Sequence, residues 1–327
     1  MPIPDHQDAW PLALVRRLPQ DGGPRSPADG VSNPVLVREL CAAVADLGGE
    51  LSLAERCQTI LRLLLLTVVL LGGAWIYWML PLGWIAIGAV LVAGVAYALL
   101  LIASHEMVHG TLLGARRWEQ GLACLLSWPM AWPYLTYARL HQLHHRWNGN
   151  DGRDPERSTL LPREQQEAGV WRRLLQRHPL LVRLVLLGGV GLIADTAWKG
   201  RQRQTLDKAL VGAGRWDGAG VVLLHSTMLL LAIQQGVLGR YLLFWLLLER
   251  VIGAIVQFRG LVEHHGLWQA QPSHLLTQLY ASRSIQASPW LNALMGGLPN
   301  HSAHHAFPWI PASRLDRKST RLNSSHT

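Results

Sequence analysis

The histidines of this chain are concentrated in four short segments whose spacing suits metal binding. The segments are 105–109 (HEMVH), 141–145 (HQLHH), 263–266 (EHHG) and 301–305 (HSAHH). Residues three and four apart lie on one face of an α-helix, so each segment can present its imidazoles in one direction. With 15 histidines in 327 residues, two H-x-x-H-H patterns are not expected by chance. The isolated histidines are instead expected at the surface or in ordinary hydrogen bonds: His6, His178, His225, His274 and His326.

The number of histidines in these segments indicates two metal ions. One ligand from the 263–266 segment and all the histidines of the others give nine candidate metal ligands, which also serve as the candidate catalytic set: His105, His109, His141, His144, His145, His264, His301, His304 and His305. A single ion usually takes about four to six ligands, so nine imidazoles predict two ions with room for an external ligand. Imidazole suits iron, copper, nickel and zinc, so the residue type does not identify the metal.

Long apolar segments precede the histidine groups and predict a membrane protein. Residues 60–80 and 84–104 are each long enough to cross a bilayer, with a turn at 81–83. A second predicted hairpin covers 219–258 and turns near 235–239, and Glu249 and Arg250 within it are expected to face the protein interior. A third apolar segment, 180–198, contains charged residues and a glycine-rich centre, which favour an interfacial or re-entrant helix.

The charge distribution predicts the orientation of this protein in the membrane. Only 16% of the residues are charged, which argues against a soluble enzyme, and the formal net charge is +9. Most of the basic residues between the two hairpins lie in 116–208, which the positive-inside rule assigns to the cytosol. Because an even number of crossings separates the histidine groups, all four are expected at the cytosolic face, most simply of a bacterial inner membrane. The basic excess is thus a topology signal, and no nucleic-acid partner is expected.

These observations predict an all-α fold. We expect an integral membrane helical bundle of about four transmembrane helices in two hairpins, with a helical cap at the cytosolic face that carries the metal site. Residues 1–58 are expected to be a partly disordered cytosolic segment, and 59–312 the membrane domain. Residues 313–327 are polar and Ser-rich, and we expect a tail that is truncated or non-native.

The order of the histidine segments resembles the three histidine boxes of the membrane fatty acid desaturase and hydroxylase superfamily. The resemblance covers about residues 60–312, with boxes at 105–109, 141–145 and 301–305 following paired apolar segments. It implies a non-haem di-iron centre of two Fe ions that activates dioxygen and attacks a C–H bond of a lipid or hydrocarbon chain. A fatty acyl desaturase is the most general match, and a hydroxylase or ketolase of alkanes or carotenoids is the alternative. Residues 259–266 are similar to the segment that supplies an extra ligand in membrane alkane hydroxylases and several desaturases, where His264 is the matching position.

Five further polar residues are candidates for orienting the ligands: Glu106, Glu263, His265, Asn300 and Asp154. Metal-bound histidines usually donate their second ring N–H to such groups. For Glu106 and Glu263 a ligand or proton-carrying role is the alternative. Asp154 lies in an acidic stretch, 148–156, that resembles the one following the second box in the superfamily, and ordinary turn chemistry is its alternative.

Two other classes of protein explain less of the sequence. The segment HEMVH matches the H-E-x-x-H motif of a membrane zinc protease, but that motif leaves two H-x-x-H-H segments without a role. A metal-transport protein would carry its histidines within the spans. The 3 cysteines match no iron–sulfur spacing and no dinucleotide fingerprint is present, so a separate electron donor such as a ferredoxin is expected. Membrane lipids are the other expected partners.

Overall fold

The computed structural model describes residues 33–157, 160 and 162–324, and this part of the chain is helical without strands. Its helices are α1 Asn33–Val44, α2 Leu53–Met79, α3 Trp84–Met107, α4 Arg116–Ser127, α5 Tyr134–Trp147, α6 Pro162–Glu167, α7 Val170–Arg177, α8 Gly188–Gln202, α9 Ala209–Gln234, α10 Leu238–His264, α11 His274–Tyr280, α12 Pro289–Met295, α13 His301–Ala306 and α14 Leu315–Ser324. Residues 51–144 and 161–259 form one compact unit, here called the span unit. The described residues of the segments 1–50, 145–160 and 260–327 form the other, the terminal unit.

The first predicted hairpin is confirmed as α2 and α3, joined by a turn at 80–83. Helix α2 begins earlier than predicted because Ser52 and Glu55 form a capping box. The Glu55 N–H donates to Ser52 Oγ at 3.3 Å, and the Ser52 N–H donates to Glu55 Oε2 at 2.9 Å. Helix α3 is the most buried of the long apolar helices, and it carries the first histidine box at its end.

The second predicted hairpin consists of α9 and α10, which turn at 235–237. Helix α9 begins before the predicted block and α10 ends after it. Arg240 interrupts the apolar pattern near the start of α10, where its guanidinium donates to the carbonyl oxygen of Leu80 at 2.6 Å and to that of Tyr77. It also lies over the Tyr77 ring, 4.9 Å from the centroid. This charged residue therefore ties the start of α10 to the end of α2.

The third apolar segment is a broken helix. A π-helical stretch, Leu181–Leu187, is followed by α8, and the backbone between them turns at Gly188, whose φ is +55°. Helix α10 approaches so closely here that a Cβ on Gly253 would meet the Gly189 nitrogen at 1.9 Å. By length and composition 181–202 is long enough to cross a membrane, so five helices qualify within the described part of the chain, where four crossings were predicted. The number of crossings stays a prediction.

The terminal unit has its own apolar core. Helix α1 contributes Leu36, Leu40 and Val44, which are buried against residues of α11, of α13 and of the segment after α13. Part of the segment predicted to be partly disordered is thus ordered, whereas residues 1–32 lie outside the described part. Of the predicted polar tail, Leu315–Ser324 form α14, with Leu315 buried. Residues 325–327 lie outside the described part, and the predicted domain boundaries stay predictions.

Candidate metal centre

Four of the predicted ligands form a buried cluster in the span unit. His105 is in the last turn of α3, His109 lies in the turn that follows, and His141 and His144 project from α5. The ring of His141 lies 4.3 Å from that of His105, 5.4 Å from that of His109 and 5.7 Å from that of His144, measured between centroids. His105, His141 and His144 are buried, and His109 is partly buried. The first two boxes thus bring four imidazoles together.

Glu106 lies beside this cluster. Its Oε1 is 3.4 Å from His105 Nδ1, and Thr111 donates its hydroxyl to Glu106 Oε2 at 3.3 Å. This contact agrees with the predicted orienting role of Glu106, which stays a prediction. Because α3 ends at Met107, His109 is not on the same α-helix as His105, which differs from the helical H-E-x-x-H arrangement of a zinc protease.

A buried carboxylate holds the loop after the first box. Glu119 in α4 accepts hydrogen bonds from the backbone N–H groups of Leu112, Leu113 and Ala115 at 3.3, 2.8 and 3.0 Å. Three backbone donors on one carboxylate fix the path of the chain just beyond His109. The sequence reading did not single out Glu119, whose position in the first turn of an amphipathic helix resembles an ordinary surface acid.

Asp217 fixes the start of the helix that carries the second box. It lies in α9 and is 1% exposed. Its carboxylate accepts from the backbone N–H groups of Leu135 at 3.1 Å and Thr136 at 2.8 Å, and from the Thr136 hydroxyl and Trp128 Nε1. A carboxylate at a helix N-terminus satisfies free N–H groups and interacts favourably with the helix dipole. The sequence reading missed this residue, although an acid within an apolar helix was the available signal.

We expect Asp217→Asn to destabilise the protein by about 1.5–3 kcal/mol, because it weakens hydrogen bonds that a buried charge strengthens. The measurement is the thermal unfolding midpoint of the full chain in detergent. Asp195→Asn is the matched control in α8, since Asp195 is half exposed and pairs with Lys199 one turn away. That surface pair contributes little. A midpoint of Asp217→Asn equal to that of the control would contradict the capping role.

The other five predicted ligands form a second cluster, in the terminal unit. His145 is near the end of α5, His264 is the last residue of α10, and α13 carries His301, His304 and His305. The His145 and His305 rings stack at 4.2 Å, the His301 and His305 rings lie 4.5 Å apart, and the His145 and His304 rings 5.1 Å apart. His304 is 0% exposed, and His301 and His305 are also buried. The third box and the Glu-His segment therefore share one site with His145.

Ring nitrogens within this cluster face one another. His264 Nε2 lies 2.8 Å from His301 Nε2, and Glu263 Oε2 lies 3.4 Å from the same His301 nitrogen. These three side chains offer ligand atoms that all lie within 4.8 Å of one another. On the far side of the His264 ring, Nδ1 is 3.3 Å from the carbonyl oxygen of Ala281. A hydrogen bond from Nδ1 to this carbonyl leaves the lone pair on Nε2, where a metal ion would be bound.

The remaining predicted orienting residues have contacts of a different kind. Asp154 Oδ1 accepts from the backbone N–H of Glu156 at 2.9 Å, which is the turn chemistry named as its alternative. Asn300 donates its amide to Asp316 Oδ1 at 2.7 Å and to the carbonyl oxygen of Gly297. The carbonyl oxygen of His265 accepts from Arg283 at 2.8 Å. These contacts tie loops and helix ends together within the terminal unit.

In the same acidic stretch, Asp151 pairs with Arg153. The hydrogen bonds of that guanidinium hold the pKa of the Asp151 carboxyl below its usual value. Asp151 is therefore ionised at neutral pH and engaged at the surface, which also favours turn chemistry for this stretch.

Comparison with known proteins agrees with the geometry. A family model described as fatty acid desaturase matches residues 82–324, which include helices α3 to α14 and all four histidine segments. No curated protein matches the chain. The match covers well over half of the chain, and the zinc-protease and transport alternatives receive no support from it. The chain therefore belongs to the fatty acid desaturase family, whose members are oxidoreductases of the desaturase or hydroxylase type.

Proposed function

We propose that this protein is a membrane fatty acyl desaturase that uses dioxygen and two non-haem irons. The observation that carries the proposal is the assembly of the nine candidate histidines into two largely buried imidazole clusters, four in the span unit and five in the terminal unit. Neutral imidazole is the form that binds metal ions.

The donor set fits iron. His264 Nε2 and His301 Nε2 lie 2.8 Å apart, so these two rings would hold one ion together. Nine imidazoles exceed the coordination of one ion and suit two, with positions left for dioxygen. We propose the nine histidines as the ligands, and Glu263 as a carboxylate that orients His301 or joins the ligands. Bound iron would supply the activation of dioxygen.

The residues of the chain then divide the remaining work. The Ala281 carbonyl oxygen contacts Nδ1 of His264, and the Glu106 carboxylate lies beside Nδ1 of His105. Both contacts fix ring orientation, as partners of metal-bound histidines do. Desaturation removes two hydrogens from an alkyl chain, reduces dioxygen to two waters and consumes two electrons and two protons. The electrons must come from a donor, for which we propose a separate acidic protein such as a ferredoxin.

The apolar helices support the proposed substrate and location. Helices that can cross a membrane give access to a lipid-borne chain, and the family supports a lipid substrate and oxygen. We propose that the histidine clusters lie at the cytosolic face of a bacterial inner membrane, because the basic residues between the two hairpins favour that side. A hydroxylase or ketolase of alkanes or carotenoids is the second candidate, because the Glu263–Gly266 segment is shared with alkane hydroxylases by resemblance and places His264 beside His301.

The proposal is tested on the full chain purified in detergent. We expect about two iron ions per chain and oxygen consumption that requires both a reductant and an acyl lipid. Mass spectrometry of the lipid products then separates the candidates, since a desaturase gives a loss of two hydrogens and a hydroxylase a gain of one oxygen. Zinc in place of iron, or oxygen consumption that is independent of lipid, would overturn the proposal.

A further inference from the structure

The side chain of Gln278 connects two histidine-bearing segments within the terminal unit. Gln278 lies on α11 and is buried. Its Oε1 is 3.0 Å from Nδ1 of His305, on α13. Its Nε2 donates at 3.2 Å to the backbone oxygen of Asn148, three residues beyond His145. One amide therefore contacts a predicted ligand and the chain that follows another.

The surroundings of the amide determine which of its atoms faces His305. Asn148 donates its own side-chain N–H₂ to Gln278 Oε1 and to the carbonyl oxygen of Ala281, both at 3.4 Å. In the reversed orientation, the two amide N–H₂ groups would face each other, and Gln278 Oε1 would face the Asn148 carbonyl. Both contacts would be repulsive. Oε1 therefore faces His305, so the hydrogen of the neutral ring must be on Nδ1.

We infer that Gln278 is a positioning residue that holds His305 as the Nδ1–H tautomer and thereby keeps the lone pair on Nε2 for a metal ion. The inference rests on the proposed function in one respect, namely that His305 is a metal ligand. Gln278 acts through His305 and binds no metal itself. Removing such a partner typically lowers metal affinity by about 10–100-fold. No signal in the sequence identified Gln278, because α11 contains none of the histidine boxes.

The test measures binding of Co²⁺ alone to the metal-free full chain, followed by visible absorption. Gln278→Met keeps the approximate size of the side chain but has no acceptor for Nδ1, and we expect its Co²⁺ affinity to fall by about 10–100-fold. Gln278→Glu keeps an oxygen facing Nδ1 in either protonation state, so it is expected to recover most of that loss. Ser282→Ala is the matched control, because the Ser282 hydroxyl donates to the backbone oxygen of Gln278 at 2.6 Å and leaves the amide untouched.

Both Gln278 variants alter the contact with Asn148, so a purely structural role predicts equal losses. Equal Co²⁺ affinities of Gln278→Met and Gln278→Glu, or an unchanged affinity of Gln278→Met, would overturn the inference. If Gln278→Met does not fold, Asn148→Ala removes the side-chain donor to Gln278 Oε1, one of the two contacts that orient the amide, and is expected to lower Co²⁺ affinity in the same direction. An unchanged affinity of that variant would count against the inference. A wild-type protein that binds Co²⁺ but neither iron nor lipid would refute the proposed function, while the comparison of variants would still decide the role of Gln278.

Discussion

The substitution His301→Ala is expected to lower lipid oxidation by more than about 100-fold, since loss of a mere partner of a ligand costs about 10–100-fold. His301 is buried and contacts His264 and Glu263 through the same ring nitrogen. Removal of the His301 ring takes one candidate metal ligand from the cluster and leaves the Glu263 carboxylate without this imidazole as a neighbour. We therefore expect the iron content to fall together with the activity, as measured by metal analysis and by product formation on the same sample.

The matched control is His274→Ala, in the same unit. His274 begins α11 and is no part of a histidine box, and burial lowers the pKa of its imidazole, so the ring is neutral at neutral pH. Its removal is expected to leave the iron content and activity close to those of the wild type. If His301→Ala retained both iron and activity, the cluster of the terminal unit would not be a metal site. If His274→Ala lost both, the loss in His301→Ala would reflect misfolding.

Much of the helical architecture could be predicted from the sequence because it is encoded locally. The length of the apolar segments identifies α2, α3, α9 and α10. The helical spacing of the third box places His301, His304 and His305 in one cluster, as predicted. The second box differs from the prediction, because His145 belongs to another cluster than His141 and His144. Glu249 and Arg250 in α10 were both predicted to face the interior because of the cost of exposing a charge to lipid. Glu249 is buried, whereas the Arg250 side chain is 34% exposed. These inferences need only residue type and spacing within a single segment.

The supporting contacts could not be predicted because they join residues far apart in the chain. Asp217 caps a helix that begins about eighty residues earlier, and the partner of Gln278 is Asn148. Neither pairing leaves a periodic pattern. The break at Gly188 could not be predicted for the same reason. A glycine-rich apolar segment is also compatible with a straight helix, and the side chains that donate to its carbonyl groups at the break come from α10. The side chains that hold the histidine-bearing segments in place were for this reason missed.

Arg250→Leu is expected to destabilise the protein by about 3 kcal/mol, the upper end of the cost of leaving a buried polar group such as the Glu249 carboxylate without its partner. Arg250 pairs with Glu249, which is 1% exposed, and donates to the carbonyl oxygens of Leu187 at 2.9 Å and Val185 at 3.1 Å. Both carbonyls lie in the π-helical stretch, just before the chain turns at Gly188. Loss of the Arg250 guanidinium leaves the buried Glu249 carboxylate without its partner and removes a donor from these carbonyls. The thermal unfolding midpoint in detergent measures the destabilisation.

A double variant separates the two costs. Glu249→Gln removes the charge but keeps an oxygen for the backbone N–H of Val190, which now donates to the Glu249 carboxylate. Glu249→Gln combined with Arg250→Leu is therefore expected to unfold at a higher temperature than Arg250→Leu alone. Arg153→Leu is the control, because Arg153 also pairs with a nearby acid, Asp151, but at the surface. A double variant less stable than Arg250→Leu would mean that the donors to the broken helix, rather than the buried charge, dominate the effect.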